Sequence, residues 1–508
     1  MNDPQSQTAS DTESSVDEVG RAEQLIADRR AKLTRLRDEL GVNPFGRRTT
    51  GLLPIAEARA RFVEGAEGDD RAVARVAGRV MLHRDTGKLQ WLQLRDASGD
   101  IQIAASKKDV EGETGFAVAR LCDLGDLLVV EGPVMKTRTG EITIWANSVE
   151  MACKSLAPPP SKHSGLQDPE QRYRRRYIDM YTNPEVTRVF QTRSRIIREI
   201  RRFMEERDYI EVETPILQSM AGGAAARPFI THLNALDLEV FLRIATELHL
   251  KRLMVGGLTR VFEIGRNFRN EGVDRSHNPE FTSMEVYEAY GDYGTMMELT
   301  ESLIRRLALM VEPSGVIEWS GEPIDYTRPF ARVTYGELFE KANGFPMTDF
   351  DRVREKARDL GMGEKAESFD DWLLVNEVFE ATAEHGLFQP TFVMDYPSVI
   401  SPLTRPKTDE PEIAERWDLF IGEMEIGPAY TELNDPDIQE AKFREQLAGA
   451  DEEEQTFRTL DEDFLNALRV GMPPAGGLGL GIDRIVMLLT GSRSIRDVIP
   501  FPFMRPEG

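Results

Sequence analysis

Cysteine is nearly absent: Cys122 and Cys153 are the only two in 508 residues. Two thiols cannot build a disulfide framework or a zinc cage. They point to a reducing cytosol, where both act as small buried apolar groups. No apolar run is long enough to span a membrane. The N-terminal stretch MNDPQSQTASDTESSVDEVG lacks the basic-then-apolar order of a secretory or transit signal, and residues 1–20 read as a disordered acidic tail. GxxxxGK(S/T) is missing, which excludes a P-loop as a nucleotide site. Positive charge is scarce as well. Against 87 Asp and Glu stand 63 Lys and Arg, a net charge of −24. That is an unusual balance for a binder of phosphate polymers, although such binding depends on local contacts rather than on whole-chain charge. A hydrophobic content of 40% supports an ordinary core, and the length suggests two to four domains.

What the chain does have is concentrated in Arg260–Tyr290, RVFEIGRNFRNEGVDRSHNPEFTSMEVYEAY. It reads as two strands joined by a long polar loop. Side chains alternate faces along a strand. In the first strand Phe262, Ile264 and Phe268 are apolar, while Arg269 and Glu271 share the other parity. In the second, Phe281, Ser283, Glu285 and Tyr287 face one way, and Met284 and Val286 the other. One sheet face therefore gathers an arginine, two carboxylates, a phenol and an aromatic ring. That set suits a cationic, zwitterionic or nucleotide ligand better than a packed core. With 87 acidic residues, a glutamate taken at random is a solvated surface group. Glu285 escapes that reading because it shares its face with Phe281 and Tyr287.

RNFRNEG and its loop resemble motif 2 of the class II aminoacyl-tRNA synthetases. Residues 185–207 place Val186, Val189, Phe190, Ile196, Ile197, Ile200, Phe203 and Met204 at helical spacing. They lead into YIEVETPIL, Tyr209–Leu217, a strand closed by Pro215. This resembles motif 1, which in the family builds the dimer interface. GGLGLGIDR, Gly476–Arg484, runs into an apolar helix, Ile485–Leu489, and resembles motif 3. A glycine run alone is a weak signal; its plain reading is close backbone packing before a helix. Three motifs in the family's order make a strong one. GGAAARPFITHLNALD (222–237), RIATELHL (243–250), EIGPAYTELND (425–435) and the terminal SIRDVIPFPFMRP closely resemble lysyl-tRNA synthetases of the bacterial type. The resemblance runs from about residue 20 onward.

The implied fold is α+β: an N-terminal OB-fold β-barrel, then a class II catalytic domain built on an antiparallel β-sheet flanked by helices. The expected organisation is the tail 1–20, a helical extension 21–70, an OB-fold anticodon-binding domain 71–155, a linker 156–172 and the catalytic domain 173–508, with a helical insertion at about 345–390. The implied activity is ATP-dependent attachment of L-lysine to tRNA(Lys) through a lysyl-adenylate, in the cytoplasm, by a homodimer joined through the motif 1 region. Carried over by motif, Glu247 meets the α-ammonium and Arg269 the carboxylate of lysine. Glu285, Tyr287, Tyr430 and Glu432 surround the rest of the lysine. Arg269 also holds the α-phosphate, Glu271 accepts the adenine amino group and Phe281 stacks on adenine. His277 and Arg484 meet the outer phosphates, Arg484 from a helix N-terminus.

For Mg²⁺, one to three ions accompanying ATP, the resemblance implies Asp418 and Glu425. If Gly422-Glu423 is a two-residue hairpin turn, Phe420 lies opposite Glu425, and Asp418 sits two residues along on the same face. The family has glutamate at both positions, so Asp418 is a shorter substitute. Two further departures stand out. Ser276 occupies the place of a family arginine, with Arg275 one residue earlier. Pro428 stands where relatives carry asparagine, and it cannot donate a hydrogen bond.

Residues 71–155 read as short strands with turns at Thr86-Gly87, Ser98-Gly99-Asp100 and Thr139-Gly140. OB-folds bind single strands by stacking bases on aromatic rings. The resemblance makes Trp91 the stacking residue, with Arg84, Gln102 and Glu141 reading base edges. Residues 21–40 read as an amphipathic helix with Leu25, Ile26, Leu33, Leu36 and Leu40 on the apolar side. Arg29, Arg30, Lys32, Arg35 and Arg37, with Lys136, Arg138 and the RYRRRY stretch at 172–177, form either a positive track for RNA or a solvated face. Three rivals remain: an aspartyl- or asparaginyl-type enzyme, disfavoured by the acidic pocket; a lysine ligase acting on a protein, disfavoured by residues 71–155; and a non-catalytic RNA binder, disfavoured by the intact site.

Overall fold

The computed structural model describes residues 20, 23–160, 165–220, 222–223, 226–449 and 460–507. They belong to two compact units, Met1–Pro184 and Glu185–Gly508. The expected tail over 1–20 lies, Gly20 apart, outside the described residues. No helix among the described residues is long and apolar enough to cross a membrane.

The first unit is organised by six strands: β1 (Val73–Asp85), β2 (Leu89–Asp96), β3 (Gly99–Ser106), β4 (Leu127–Lys136), β5 (Ile142–Trp145) and β6 (Ser148–Cys153). They run in the order β1-β2-β3-β5-β4-β6, and pairing of β1 with β4 closes the barrel. Alternation drives this. In β2, Leu92 and Leu94 are buried, while Trp91 and Gln93 lie on the outer face. Gly87 and Gly140 take positive φ at the turns, which a glycine does without strain. A helix, Gly112–Leu121, packs Phe116, Val118 and Ala119 into the same core. Cys122 is buried and Cys153 half-buried, both as free thiols.

Before the barrel, residues 23–34 are helical and continue into a π-type turn, Arg35–Glu39. Leu36 is fully buried, but Leu25, expected on the apolar side, is exposed. The basic track is also largely tied down. Arg29 is buried and donates to the Leu124, Ser155 and Ala157 carbonyls. Lys32 pairs with Asp123 at 2.6 Å, and Lys136 with Glu64 at 2.9 Å. Arg176 is buried against Asp179. These four cations are paired within the unit.

The second unit opens with α1 (Pro184–Glu205), whose Ile196, Ile200, Phe203 and Met204 form the expected apolar stripe. The expected strand over Tyr209–Leu217 is two short ones, β7 (Ile210–Glu211) and β8 (Leu217–Gln218). Between them Thr214 donates through both its amide and its hydroxyl to the Glu263 carboxylate, which takes that stretch out of the ladder. β9 (Ile230–Leu233) and β10 (Leu238–Leu242) complete a three-stranded sheet with β8.

Then follow α2 (Glu247–Val255), β11 (Arg260–Phe268), β12 (Glu280–Ala289) and α3 (Tyr293–Val311). After them come a hairpin of β13 (Val316–Trp319) with β14 (Glu322–Asp325), and β15 (Ala331–Thr334). Four helices follow: α4 (Tyr335–Asn343), α5 (Phe350–Asp359), α6 (Gly363–Ser368) and α7 (Asp371–Thr382), with their own apolar cluster around Phe339, Val353 and Phe379. β16 (Thr391–Pro397), β17 (Ile413–Ile421), β18 (Met424–Thr431), β19 (Ala475–Gly481) and α8 (Ile482–Thr490) close the unit, with a short helical turn, Ile495–Val498, beyond.

The main sheet has the order β15-β16-β17-β18-β19-β12-β11-β7. It is antiparallel from β16 to β11 and parallel at its two rims. α1, α3 and α8 cover one face, where Met284, Val286, Leu478 and Leu480 are buried with them. Burying each such side chain contributes about 1.5–3 kcal/mol. The opposite face forms the floor of a cleft.

Candidate active site

β11 and β12 pair in register from Arg260↔Glu288 to Phe268↔Glu280, so the parity read for β12 holds, whereas Arg269 and Glu271 lie beyond the end of β11 and are not placed by alternation. Met284 and Val286 enter the core, while Phe281, Ser283, Glu285 and Tyr287 line a cleft of about 780 Å³. Arg269, Glu271, His277, Glu247, Glu425, Tyr430 and Arg484 line the same cleft. Its volume suits a drug-sized or nucleotide-sized ligand.

Arg269 follows β11, with its amide bonded to the Pro279 carbonyl and its guanidinium 5.2 Å from the Phe281 ring centre. Its Nε is buried without a hydrogen-bond partner among the described residues. A buried donor left open in this way calls for an anionic ligand. In the loop, His277 Nδ1 lies 2.8 Å from Asp274, and its Nε2 lies 3.3 Å from the Arg484 guanidinium. Because arginine only donates, Nε2 accepts and Nδ1–H donates to Asp274. Partial burial works against the Asp274 charge, but hydrogen bonds from His277 and Ser276 outweigh it and hold its pKa down at about 2. Arg484 sits in the first turn of α8 and also donates to the Glu425 carbonyl at 2.5 Å. Asp483, its neighbour, points the other way. It is ion-paired with Arg193 of α1 and accepts the Thr282 amide of β12 at 2.7 Å. The three motif segments thus meet at one carboxylate.

At the other end of the cleft, Glu285 accepts the Thr246 amide at 3.0 Å, at the start of α2. Burial pushes its pKa up, and the Thr246 hydrogen bond partly offsets that. Asn267 bridges to Ser283 at 2.8 Å and keeps its Oδ1 unpartnered toward the cleft. Glycines clear the space. A Cβ on Gly477 would overlap Glu432 Oε1 and the Tyr287 ring, and one on Gly427 would overlap the Gly479 carbonyl across β18 and β19.

Two expected site residues lie behind the cleft wall and not on it. Glu432 is fully buried and ion-paired with Lys251, whose Nζ also meets Glu247 at 2.6 Å. Asp418 is buried, with both oxygens held by Arg416 at 2.9 and 2.7 Å. Gly422 and Glu423 both have positive φ, as a two-residue type I′ turn requires, and Phe420 does face Glu425. A bulge then places Pro428, not Gly427, opposite Asp418. Burial followed by the Asp418 charge raises the Glu425 pKa. Among the described residues no three His, Cys, Asp or Glu side chains converge as a metal cage. Glu425, the one of the two carboxylates that lines the cleft, nevertheless fits Mg²⁺, which takes one or two protein carboxylates and fills its remaining positions with phosphate oxygens and water.

Lys251, Arg416 and Asn267 were not singled out from the sequence. Two carried a signal: Lys251 lies four residues after Glu247 on a helix, and Arg416 shares the strand parity of Asp418. Arg275 and Ser276 stay in the loop, Ser276 at the cleft, and the Arg275 carbonyl accepts the Ile495 amide.

On the barrel, Arg84 pairs across from Trp91, and Gln102 lies across from Gln93 on the same outer face. Trp145, not anticipated, stands edge-on to Trp91 with ring centres 6.0 Å apart. Gln102 accepts the Thr143 hydroxyl at 2.8 Å, and Glu141 is paired with Arg59 at 3.0 Å.

Comparison with known proteins agrees with this geometry. A family model described as OB-fold nucleic acid binding domain matches residues 74–152. The curated "Lysine--tRNA ligase" of Pelotomaculum thermopropionicum is 47% identical over 488 residues, covering 95% of each chain. That of Magnetococcus marinus is 46% identical over 96% of this chain and 98% of its own. That of Nostoc punctiforme is 45% identical over 96% and 88% respectively. The model described as tRNA synthetases class II (D, K and N) matches residues 168–505, and with relatives this similar over nearly their full length, the chain belongs to that family.

Proposed function

We infer that this chain attaches L-lysine to tRNA(Lys) at the expense of ATP, and that it does so as a cytoplasmic homodimer. The observation that carries the choice of lysine is the charge of the pocket: Glu247 and Glu285 line one end of the cleft, Glu432 stands behind them, and Arg269 is a cation of the same cleft whose charge acts on Glu285. A substrate with two ammonium groups and one carboxylate matches that set. An aspartate side chain would meet carboxylates, and discrimination would come from that repulsion. The names of the relatives support the same substrate.

In the first step a lysine carboxylate oxygen attacks the α-phosphorus of ATP. The bond from that phosphorus to the bridging oxygen breaks, and pyrophosphate leaves. In the second, the 3′-terminal adenosine hydroxyl of the tRNA attacks the acyl carbon of the adenylate, and AMP leaves. No protein nucleophile is needed, so catalysis is positioning and neutralisation of charge. Arg269 spans the attacking carboxylate and the α-phosphate. Phe281 stacks on adenine, and Glu271 accepts its amino group. The paired His277 and Arg484 meet the outer phosphates. Glu425, with Asp418 behind it, would hold Mg²⁺, which neutralises phosphate charge when bound. Arg84, Trp91, Gln102 and Glu141 read the anticodon from the barrel. ATP–pyrophosphate exchange with each of the twenty amino acids tests this. Exchange with lysine alone is expected; exchange with aspartate or asparagine instead would overturn the substrate.

A further inference from the structure

Lys251 is fully buried on α2 and does not line the cleft. Its ammonium joins two carboxylates of the lysine pocket, Glu247 at 2.6 Å and Glu432 through Oε2. Glu432 Oε1 is left buried beside the Tyr287 ring with no hydrogen-bond partner among the described residues. Two ordinary accounts do not explain this arrangement. A buried ion pair kept for stability gains little over an apolar pair of the same volume. A lysine placed there as glue for the sheet would also not need two glutamates, one of which keeps an open oxygen.

Counting charge gives a functional reason. Glu247, Glu285 and Glu432 supply three negative charges, and Arg269 and Lys251 two positive ones, so the pocket is one short of neutrality. Free lysine carries one net positive charge and closes the balance. Without Lys251 the pocket would be two charges short, and its deepest carboxyl would resist ionising.

Resting on the lysine reading above, we propose that Lys251 is a positioning residue that sets the substrate charge the pocket accepts, by tying Glu432 to Glu247 and presenting the free Glu432 oxygen to the incoming ammonium. The groups facing this pair are Glu247 on its own helix, Glu285 and Tyr287 on β12, and Tyr430 on β18. Burial pushes the Glu432 pKa up, the Lys251 ammonium pulls it back down, and Glu247 and Glu285 add to the rise. Removing Lys251 therefore takes away the group that favours the charged form of Glu432.

The test is lysine-dependent ATP–pyrophosphate exchange by the full-length protein as wild type, Lys251→Met and Lys251→Arg, between about pH 6 and 10. In Lys251→Met the KM for lysine should rise roughly tenfold or more at neutral pH, with the KM for ATP unchanged. The pH above which that KM levels off should move up by about one unit or more. Lys251→Arg keeps the charge and should keep the wild-type pH midpoint even where its bulk raises KM. A Lys251→Met protein with unchanged lysine KM overturns the proposal. So does an equal loss for lysine and ATP at every pH, or a Lys251→Arg midpoint displaced like that of methionine, since each reports packing alone. Should Lys251→Met fail to fold, the Lys251→Arg midpoint decides. A wild type that exchanges no lysine would instead overturn the substrate reading.

Discussion

Glu285 sits where two demands conflict: burial raises its pKa, while its position beside the α2 N-terminus and its bond from Thr246 favour the charged form. A substrate ammonium would settle the conflict by pairing with it. Glu285→Gln keeps the shape and removes the charge, so the KM for lysine should rise roughly 10²- to 10³-fold. The KM for ATP should stay within about threefold, because Phe281, Arg269 and Arg484 are untouched. Steady-state exchange with each substrate varied in turn checks both. At this scale the sequence was informative where one residue's role follows from its own strand. Phe281, Glu285 and Tyr287 declare themselves by alternation. It was silent where the partner is remote: nothing local to Glu432 announces that Lys251 holds it, and nothing near Arg269 announces that its Nε is left without a partner among the described residues.

Elements carry a different constraint. β12, β19 and β18 lie side by side, and the pocket exists because Gly477 and Gly427 add no Cβ to that stack. Gly477→Ala should force Glu432 and Tyr287 apart, costing about 1–3 kcal/mol of stability, which chemical denaturation would measure, along with a weaker lysine KM. Legibility followed the same logic. The β11–β12 pair and the type I′ turn at Gly422-Glu423 were readable because alternation and turn chemistry are local. The bulge after the turn was not, and it is what sets Pro428 opposite Asp418. The stretch Tyr209–Leu217 looked like one strand by composition. Its interruption comes from Glu263, a side chain on a strand later in the chain, which bonds the amide and hydroxyl of Thr214.

At the scale of the whole molecule, the barrel and the catalytic unit each have a core of their own. A change on the outer face of the barrel should therefore separate the two reactions. Trp145→Ala should lower kcat/KM for tRNA charging roughly 5- to 150-fold, the worth of one stacked base, and leave pyrophosphate exchange unchanged. Equal loss in both assays would assign Trp145 to the fold alone. The second unit also shows an apolar strip around its three-stranded sheet: Ile230, Leu217, Leu238 and, 70% exposed, Leu236. Patches of this kind mark interfaces. For a homodimer through the motif 1 region, Leu236→Glu should shift the mass measured by light scattering toward the monomer.

The position of β19 has a consequence for how the chain is made. This strand lies in the interior of the main sheet, between β18 and β12, yet it is supplied by Ala475–Gly481, after every other strand of that sheet. During translation the barrel strands, complete by Cys153, have left the ribosome long before. The sheet of the second unit, in contrast, must wait with the edges of β12 and β18 open until residues 475–481 have been made. Open edges of that kind recruit other strands. The growing chain is therefore most exposed to misassembly between the synthesis of β18 and that of β19, and a message truncated shortly before codon 475 would yield a sound barrel attached to a unit that cannot close.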